Sequence, residues 1–256
     1  MSTYVPTIEI NKKQLKNLIY FIGKHEDLLA KYGAIKIKLN ENWKLNLKKK
    51  VDIFSTNSVN KQLVKIPSKK FIYPVEEINS IEKPFQEKFC IQNENDFLNL
   101  LNSSKYQQLN ISYIMDESFF LQKTSIDHFS VYHSIYESTL KFFQKDIQKQ
   151  FHPYIRRTHK SPSIFPLNCA QQFFFTLDYH RQGENHHWYI IPSHQRCILQ
   201  DLLSKQNQSN CLEHQQIFLH PLFFYENNIQ YYRINQQENE FVILSSGTFY
   251  QSFTEN

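Results

Sequence analysis

Apolar residues recur every three or four positions near the start of the chain, over residues 11–32. They are Leu15, Leu18, Ile19, Ile22, Leu28 and Leu29. Because this spacing places side chains on one face of an α-helix, it predicts a helix that ends at Gly33, a residue suited to the turn after a helix. Residues 34–39 then alternate apolar and polar side chains, which predicts a half-buried strand. The pattern therefore predicts a small helix-then-strand unit.

Short apolar and aromatic runs dominate the chain after residue 164, and they predict strands. These runs are residues 172–179, 188–191, 216–219, 229–234 and 240–244. Many short strands with few helices are typical of a β-sandwich or barrel. The predicted fold class is therefore mainly β with helices (α+β).

Three further helices are predicted from the helical period. The first covers residues 96–101 and the second covers residues 134–150, with Phe142 and Phe143 among its apolar positions. Both are expected to pack on a sheet. The third covers residues 193–203. The apolar residues of its inner face are Cys197, Ile198, Leu202 and Leu203.

Composition indicates a chain that folds. Hydrophobic residues make up 41% and aromatic residues 15% of the 256 residues, and there are only 4 glycines, which is far from a disordered composition. Residues 44–84 are polar and irregular, which predicts a linker with some strand content. The expected organisation is a unit at residues 5–43, this linker, and a domain at residues 85–256.

Charge and cysteine usage narrow the setting of the protein. The net charge of +5 and the pI near 8.8 permit a chromatin or nucleic-acid partner and leave direct contact with DNA open. The lysine triplet at 48–50 is either a solvated turn or a contact to phosphate or the import machinery. The cysteines lack CxxC spacing, the first residues are too polar for a secretory signal, and no apolar run approaches the roughly 18 residues of a membrane span. We therefore expect a soluble intracellular protein with no membrane partner.

Several features of the first 43 residues fall in one register. Pro6 is followed by the predicted helical face, then by the run Gly-Ala-Ile-Lys-Ile at 33–37, and then by Trp43. This arrangement resembles the Jumonji N (JmjN) motif. The resemblance identifies residues 5–43 as a JmjN-like unit.

Two runs in the second half of the chain carry a further resemblance. Residues 178–192 read Asp-Tyr-His-Arg-Gln-Gly-Glu-Asn-His-His-Trp-Tyr-Ile-Ile-Pro, and residues 236–253 contain Glu-Phe-Val-Ile-Leu followed by Tyr250 and Phe253. Both runs resemble the Jumonji C (JmjC) domain of histone lysine demethylases, most clearly over residues 153–256. The resemblance implies a cupin-like double-stranded β-helix, Fe(II) and 2-oxoglutarate as cofactors if active, a histone tail or chromatin-associated protein as partner, and a nuclear location.

The end of the chain departs from this family. The sequence stops at Asn256, soon after Phe253, whereas family members continue into at least one further strand. We therefore expect the double-stranded β-helix to be incomplete, with an unpaired sheet edge.

The residues at the expected iron positions cannot serve as the usual ligands. The family holds Fe(II) with two histidines and one carboxylate, and the resemblance places Asn168, Ala170 and Tyr250 at those positions. An amide oxygen is a weak ligand for Fe(II), and an alanine side chain has no donor atom. The sequence therefore predicts that the metal triad is lost and that no catalytic residues remain.

The expected 2-oxoglutarate positions are altered as well. The family's lysine falls on His186, its asparagine falls on Asp178, and Thr176 retains the local strand character. A neutral imidazole holds a carboxylate poorly at pH 7. We interpret these three as a degenerate cofactor site with no cofactor bound. Two alternatives remain for the histidines: protonated His186 or His187 holds the carboxylate, or the two form a polar pair on a strand edge.

A relocated metal site is the alternative. Acidic and histidine side chains are dense in this stretch: Asp178, His180, Glu184, His186, His187 and His194. The first hypothesis is a catalytically defective JmjN/JmjC protein that acts as a binding or scaffold module on chromatin. The rival is an active Fe(II)/2-oxoglutarate-dependent histone lysine demethylase that uses a relocated site, and a third possibility is a degenerate fragment without a role.

Overall fold

A computed structural model gives the fold of most of the chain. It describes residues 3–40, 56–59, 61–67, 70–77, 90–103, 108–110, 113–116, 139–145, 155–158, 163–169, 174–206 and 216–255. Strands predominate over helices in these residues, as the alternating apolar runs predict. No helix in this part of the protein is both long enough and apolar enough to cross a membrane.

Two sheets packed face to face form the centre of the fold. The first has the strand order β1 (Thr3–Tyr4), β14 (Tyr232–Gln236), β12 (His186–Ile191), β16 (Phe249–Thr254), β10 (Ile164–Cys169). The second has the order β11 (Thr176–Tyr179), β15 (Phe241–Leu244), β3 (Ala34–Leu39), β2 (Thr7–Ile10). Trp188 and Ile190 of the first sheet share one buried cluster with Val242 and Leu244 of the second. This cluster is the interior of a flattened barrel.

The predicted N-terminal helix is divided into three short helices. They are α1 (Lys12–Lys16), α2 (Leu18–Lys24) and α3 (Glu26–Tyr32). The prediction of one continuous helix over residues 11–32 is wrong because the backbone leaves helical geometry at Asn17 (ψ 43°) and at His25 (ψ 19°). The end of the helical segment matches the prediction, since Gly33 adopts the left-handed conformation with φ 74°.

The N-terminal unit is built into the second sheet. Strand β3 lies between β2, which runs parallel to it, and β15, which runs antiparallel to it. The outer face of β3 carries Ile35 and Ile37, which pack with Leu15 and Leu29 of the helices and with Phe241 of β15. Residues from both ends of the chain therefore share one core.

The segment expected to be a linker, residues 44–84, contributes strands to two further sheets. Its described strands are β4 (Thr56–Val59), β5 (Lys61–Val64) and β6 (Ile72–Glu77). Strand β6 pairs with β13 (Ile217–Leu219) on one side and β5 on the other, and Leu63 and Ile72 lie in the largest apolar core. Strand β5 also pairs with β7 (Gln108–Asn110), and β4 pairs with β8 (Tyr113–Asp116), which in turn pairs with β9 (Ile155–Thr158). Trp43 and the lysines at 48–50 lie outside the described residues.

Three helices of the described residues accompany this larger core: α4 (Glu94–Asn102), α5 (Arg196–Lys205) and α6 (Pro221–Glu226). Helix α4 confirms the prediction at 96–101 and buries Phe97 and Leu101. The predicted inner face of α5 is correct for Leu203, which is buried, and for Leu202, which packs against the core. It is wrong for Cys197 and Ile198, which are exposed, and Leu199 is buried in their place.

One other expectation is corrected. Within the predicted helix 134–150, the structure describes a 3-10 helix at Thr139–Phe142, and Phe142 is 81% exposed. The last strand, β16, lies inside the first sheet between β12 and β10, and the described strands at the edges of that sheet are β1 and β10. The remainder of residues 134–150 lies outside the described residues.

Candidate functional site

Strand alternation decides which side chains enter the barrel interior. On β12, Trp188 and Ile190 face the interior cluster, and His186 lies on the same face two residues earlier. His187 and Tyr189 face the opposite side, where both rings lie near Phe253. The candidate site is therefore the end of the interior that His186 shares with its neighbours on β11, β14 and β16.

Two of the three expected iron positions converge inside the barrel. Asn168 on β10 and Tyr250 on β16 are direct cross-strand partners. The Asn168 Nδ2 donates a hydrogen bond to the Tyr250 hydroxyl at 3.3 Å, and its Oδ1 accepts one from the Cys169 amide at 2.9 Å. The amide side chain is thus engaged by the protein itself. Ala170, the third position, lies outside the described residues.

The expected cofactor residue Asp178 is bound to a cation that the sequence analysis did not identify. Its Oδ2 lies 2.7 Å from the Arg156 Nη2, and its Oδ1 accepts a hydrogen bond from Gln236 Nε2 at 3.2 Å. Both side chains of this ion pair are about one-fifth exposed, at 21% for Arg156 and 20% for Asp178. The carboxylate is therefore satisfied on both oxygens at the rim of the interior. Thr176, the third expected cofactor residue, lies two positions earlier on β11 and is half-buried.

His186 is a buried and neutral imidazole. Its Nε2 lies 2.9 Å from the Ser252 hydroxyl, and its ring packs against Trp188 with centroids 4.4 Å apart. Burial lowers the pKa of His186 well below its usual range, and the positive charge of Arg156 lowers it further. The strand-edge interpretation of His186 and His187 is wrong, because β12 is paired on both sides. Without a charge, His186 cannot replace a lysine that binds a carboxylate.

Gln236 connects the interior groups. This fully buried side chain accepts a hydrogen bond from the Trp188 indole at 2.9 Å and donates to the Glu240 carbonyl at 3.1 Å, in addition to its bond to Asp178. The Glu240 carboxylate pairs with Lys36 of β3 at 3.1 Å. The polar interior is therefore a connected network rather than a set of unused donors and acceptors.

The residues proposed for a relocated metal site do not all lie together. His187 pairs with Glu255 at 2.6 Å on the outer face of β12, and His194 lies near Gln230. Glu184 is exposed to solvent. Among the residues that the structure describes, no three His, Cys, Asp or Glu side chains are grouped closely enough to hold a metal ion.

The residues present do not fit the cofactors that the resemblance implies. One buried ring nitrogen, His180 Nε2, has no hydrogen-bond partner within the described part of the chain, and a single imidazole does not make a facial triad. The His180 and His186 ring centroids are 6.4 Å apart, and His186 is already engaged with Ser252. At the expected 2-oxoglutarate positions, the Asp178 carboxylate would repel the distal carboxylate of 2-oxoglutarate.

Arg156 is the functional-site residue that the sequence analysis missed. It belongs to β9, outside the two facing sheets, and its guanidinium lies 4.6 Å from the centroid of the Phe165 ring. The sequence carries only an indirect signal for Arg156. The resemblance puts His186 where the family has a lysine, so the expected site has no cation of its own, and residues 155–158 combine two arginines with strand-forming neighbours.

A comparison with protein families agrees with the resemblance of the C-terminal part of the chain to the JmjC domain. Residues 158–256 match the family model described as "JmjC domain, hydroxylase". The match covers β10 to β16, including Asn168, Asp178, His186 and Tyr250. JmjC domains generally use Fe(II) and 2-oxoglutarate. The mainly β architecture is consistent with the cupin-like fold of such a domain, and residues 158–256 are similar to a JmjC domain.

Proposed function

We propose that this protein is a catalytically defective Jumonji-type protein that acts as a binding or scaffold module on chromatin in the nucleus. The observation that carries this proposal is the hydrogen bond between Asn168 and Tyr250, at two positions where an active site needs imidazole ligands. An amide and a phenol that bond to each other offer Fe(II) no strong neutral nitrogen donor. The protein keeps the scaffold of the domain and lacks its metal chemistry.

The residues at the expected 2-oxoglutarate positions support the same proposal independently. An active site needs a free cation for the ligand's distal carboxylate, and here Asp178 already neutralises Arg156. A site that fails at both the metal and the carboxylate requires several substitutions to regain activity. Single changes that restored turnover would therefore be unexpected.

The catalytic half of the proposal is tested by turnover. The purified full chain is incubated with Fe(II), ascorbate, 2-oxoglutarate and methylated histone peptides, and succinate is measured beside an active Jumonji demethylase as positive control. We expect succinate at the level of the sample without protein. Succinate release that depends on both Fe(II) and 2-oxoglutarate would contradict the proposal and favour the active demethylase.

The binding half needs a separate experiment. The partner that we propose is a histone tail or a chromatin-associated protein, and the net charge of +5 is compatible with an acidic chromatin surface. Reconstituted nucleosomes and isolated histone-tail peptides are titrated with the full chain in a salt series, with a folded basic protein of equal net charge as control. We expect affinity that exceeds the control's at every salt concentration. Binding no tighter than the control's would remove the chromatin role.

A further inference from the structure

A polar pocket lies where the N-terminal residues cross from the first sheet to the second. Strand β1 is at the edge of the first sheet and β2 is at the edge of the second, and the pocket beside them has a volume of about 500 Å³. Residues of β1, β2, β3 and β14 line it, together with the segments that follow β1 and β14. Sites for small molecules have volumes of about 300–1,000 Å³, so the pocket is large enough for such a ligand.

Lys36, one of the lining residues, is already engaged by the protein. Its Nζ lies 3.1 Å from Glu240 Oε2 and donates a hydrogen bond to the Asn235 carbonyl at 3.1 Å. Glu240 Oε2 also accepts a hydrogen bond from the Gln237 amide at 2.8 Å. The Lys36 and Glu240 side chains are only 18% and 5% exposed. This ion pair therefore forms a satisfied wall of the pocket and needs no charged ligand.

The edge of β14 explains why space remains here. Strand β1 pairs with β14 only at Tyr232 and Arg233, and the Val5 amide then donates to the Arg233 carbonyl. Two residues further along β14, the Asn235 carbonyl accepts a hydrogen bond from the Lys36 side chain rather than from a strand. The ladder between β1 and β14 therefore ends beside the pocket.

Two charges of opposite sign stand at the exposed side of the pocket. Glu9 on β2 and Lys38 on β3 are direct partners in the parallel register, so their side chains lie on the same face. Both residues are exposed, and neither side chain forms an ion pair within the described part of the chain. If the two groups met in water, an exposed pair of this kind would contribute little to stability. A ligand can therefore separate them at little cost.

We propose that this pocket binds a short peptide with free termini, whose ammonium group pairs with Glu9 and whose carboxylate pairs with Lys38. Two available side chains of opposite sign favour a ligand that carries both charges over a simple anion or cation. Buried Val5 and Ile234 supply an apolar part of the lining, which suits an aliphatic side chain. The Thr7 hydroxyl can donate to or accept from a peptide group. The ligand class is therefore a dipeptide with an aliphatic side chain.

The experiment is isothermal titration of the full chain with glycyl-leucine and three related compounds. N-acetyl-glycyl-leucine lacks the ammonium charge, glycyl-leucine amide lacks the carboxylate, and leucine carries both charges at a shorter separation. We expect glycyl-leucine to bind in one equivalent. Each of the other three should bind about threefold to tenfold more weakly, the range expected for the loss of one charge-assisted contact in a partly open site.

Substitutions assign each contact to its residue. Glu9→Gln should weaken glycyl-leucine binding about threefold to tenfold. It should not change the affinity for N-acetyl-glycyl-leucine, because the ammonium group is already absent from that compound. Lys38→Met should behave in the same way toward glycyl-leucine and its amide.

A matched control comes from another cross-strand pair of the same residue types. Lys61 and Glu77 are direct partners on β5 and β6 and do not line the pocket. Lys61→Met and Glu77→Gln should therefore leave the affinity for all four compounds unchanged.

Three results would overturn the proposal. One is the absence of saturable glycyl-leucine binding to the wild type at millimolar concentrations. The second is an equal affinity for leucine or for either blocked dipeptide, which would remove the class of peptides with free termini. The third is an affinity that Glu9→Gln and Lys38→Met leave unchanged, or that the control variants lower equally. If circular dichroism shows that a pocket variant does not fold, the four ligands compared on the wild type decide.

Peptide binding and turnover can fail separately. The pocket contains none of the expected iron or 2-oxoglutarate positions, so the peptide site does not depend on the function proposed above. Succinate release together with peptide binding would overturn the proposed function alone. The absence of both would overturn the peptide site alone.

Discussion

The turn at Gly33 offers the sharpest test of how the N-terminal unit joins the barrel. Its φ of 74° lies in the left-handed region, and a Cβ at this position would meet Ile190 Cγ2 at 3.0 Å, the Pro192 Cα at 3.1 Å and Thr248 Oγ1 at 3.1 Å. The Gly33 carbonyl also accepts a hydrogen bond from the Thr248 hydroxyl at 3.0 Å. The turn is therefore packed directly on the first sheet.

Gly33→Ala should destabilise the whole fold rather than the N-terminal helices alone. The left-handed conformation costs a non-glycine residue about 1–2 kcal/mol, and crowding against packed backbone costs about 1–3 kcal/mol. We therefore expect the free energy of unfolding to fall by about 2–4 kcal/mol, since one neighbouring atom belongs to a flexible side-chain end and can shift. The measurement is urea unfolding followed by circular dichroism and by tryptophan fluorescence.

Gly23 is the matched control in the same segment. It lies in α2, and a Cβ there would meet nothing within 4 Å. Gly23→Ala should therefore stabilise the protein by up to about 1 kcal/mol through helix propensity. If the free energy of unfolding of Gly33→Ala lay within about 0.5 kcal/mol of the wild-type value, the close packing of this turn against the barrel would be refuted.

Two further predictions concern buried polar groups. Burial lowers the pKa of His220 to about 4, so the folded state resists protonation and stability should fall as the pH decreases from about 6.5 toward 4. An Asn side chain at this position can still accept the hydrogen bond from the Leu222 amide that caps the helix. His220→Asn should therefore lose less unfolding free energy than the wild type between pH 7 and pH 5. An unchanged loss would show that His220 is not the source of this pH dependence. Gln236→Leu should cost about 2–4 kcal/mol because it strands the Trp188 indole and two further partners. Gln237→Leu, at the exposed neighbouring position, should change the free energy of unfolding by less than about 0.5 kcal/mol. Equal effects of the two substitutions would argue against the network.

Much of the sheet structure follows from local patterns. The alternation over residues 34–39 predicts β3, and the apolar run at 188–191 predicts the second part of β12. The left-handed turn at Gly33 was also predictable, because glycine is the residue that adopts it without steric cost. These features depend on residues close together in sequence.

The features that were not predicted depend on contacts distant in sequence. Helix α5 has apolar residues on several sides, and only packing on the core selects Leu199 rather than Ile198. Arg156 reaches Asp178 from a strand in a different sheet, so no spacing rule relates them. The resemblance to the JmjC domain predicts ligand positions at Asn168 and Tyr250, but it could not show that their side chains bond to each other.

The central claim is that the barrel keeps the geometry of a metal site and has lost its ligands. Positions 168 and 250 are direct cross-strand partners, and such pairs hold their Cβ atoms about 4.5–5.5 Å apart, which suits two imidazoles on one metal ion. The double variant Asn168→His/Tyr250→His places two histidines, two of the three ligands of the family's triad, at these positions.

The most direct measurement is equilibrium dialysis of Co(II) against the wild type and this double variant, with bound metal quantified per chain. We expect the double variant to bind about one equivalent more than the wild type. A wild type that binds an equivalent as tightly as the double variant would contradict the loss of the ligands. A double variant that binds no more than the wild type, which itself binds none, would contradict the convergence of the two positions.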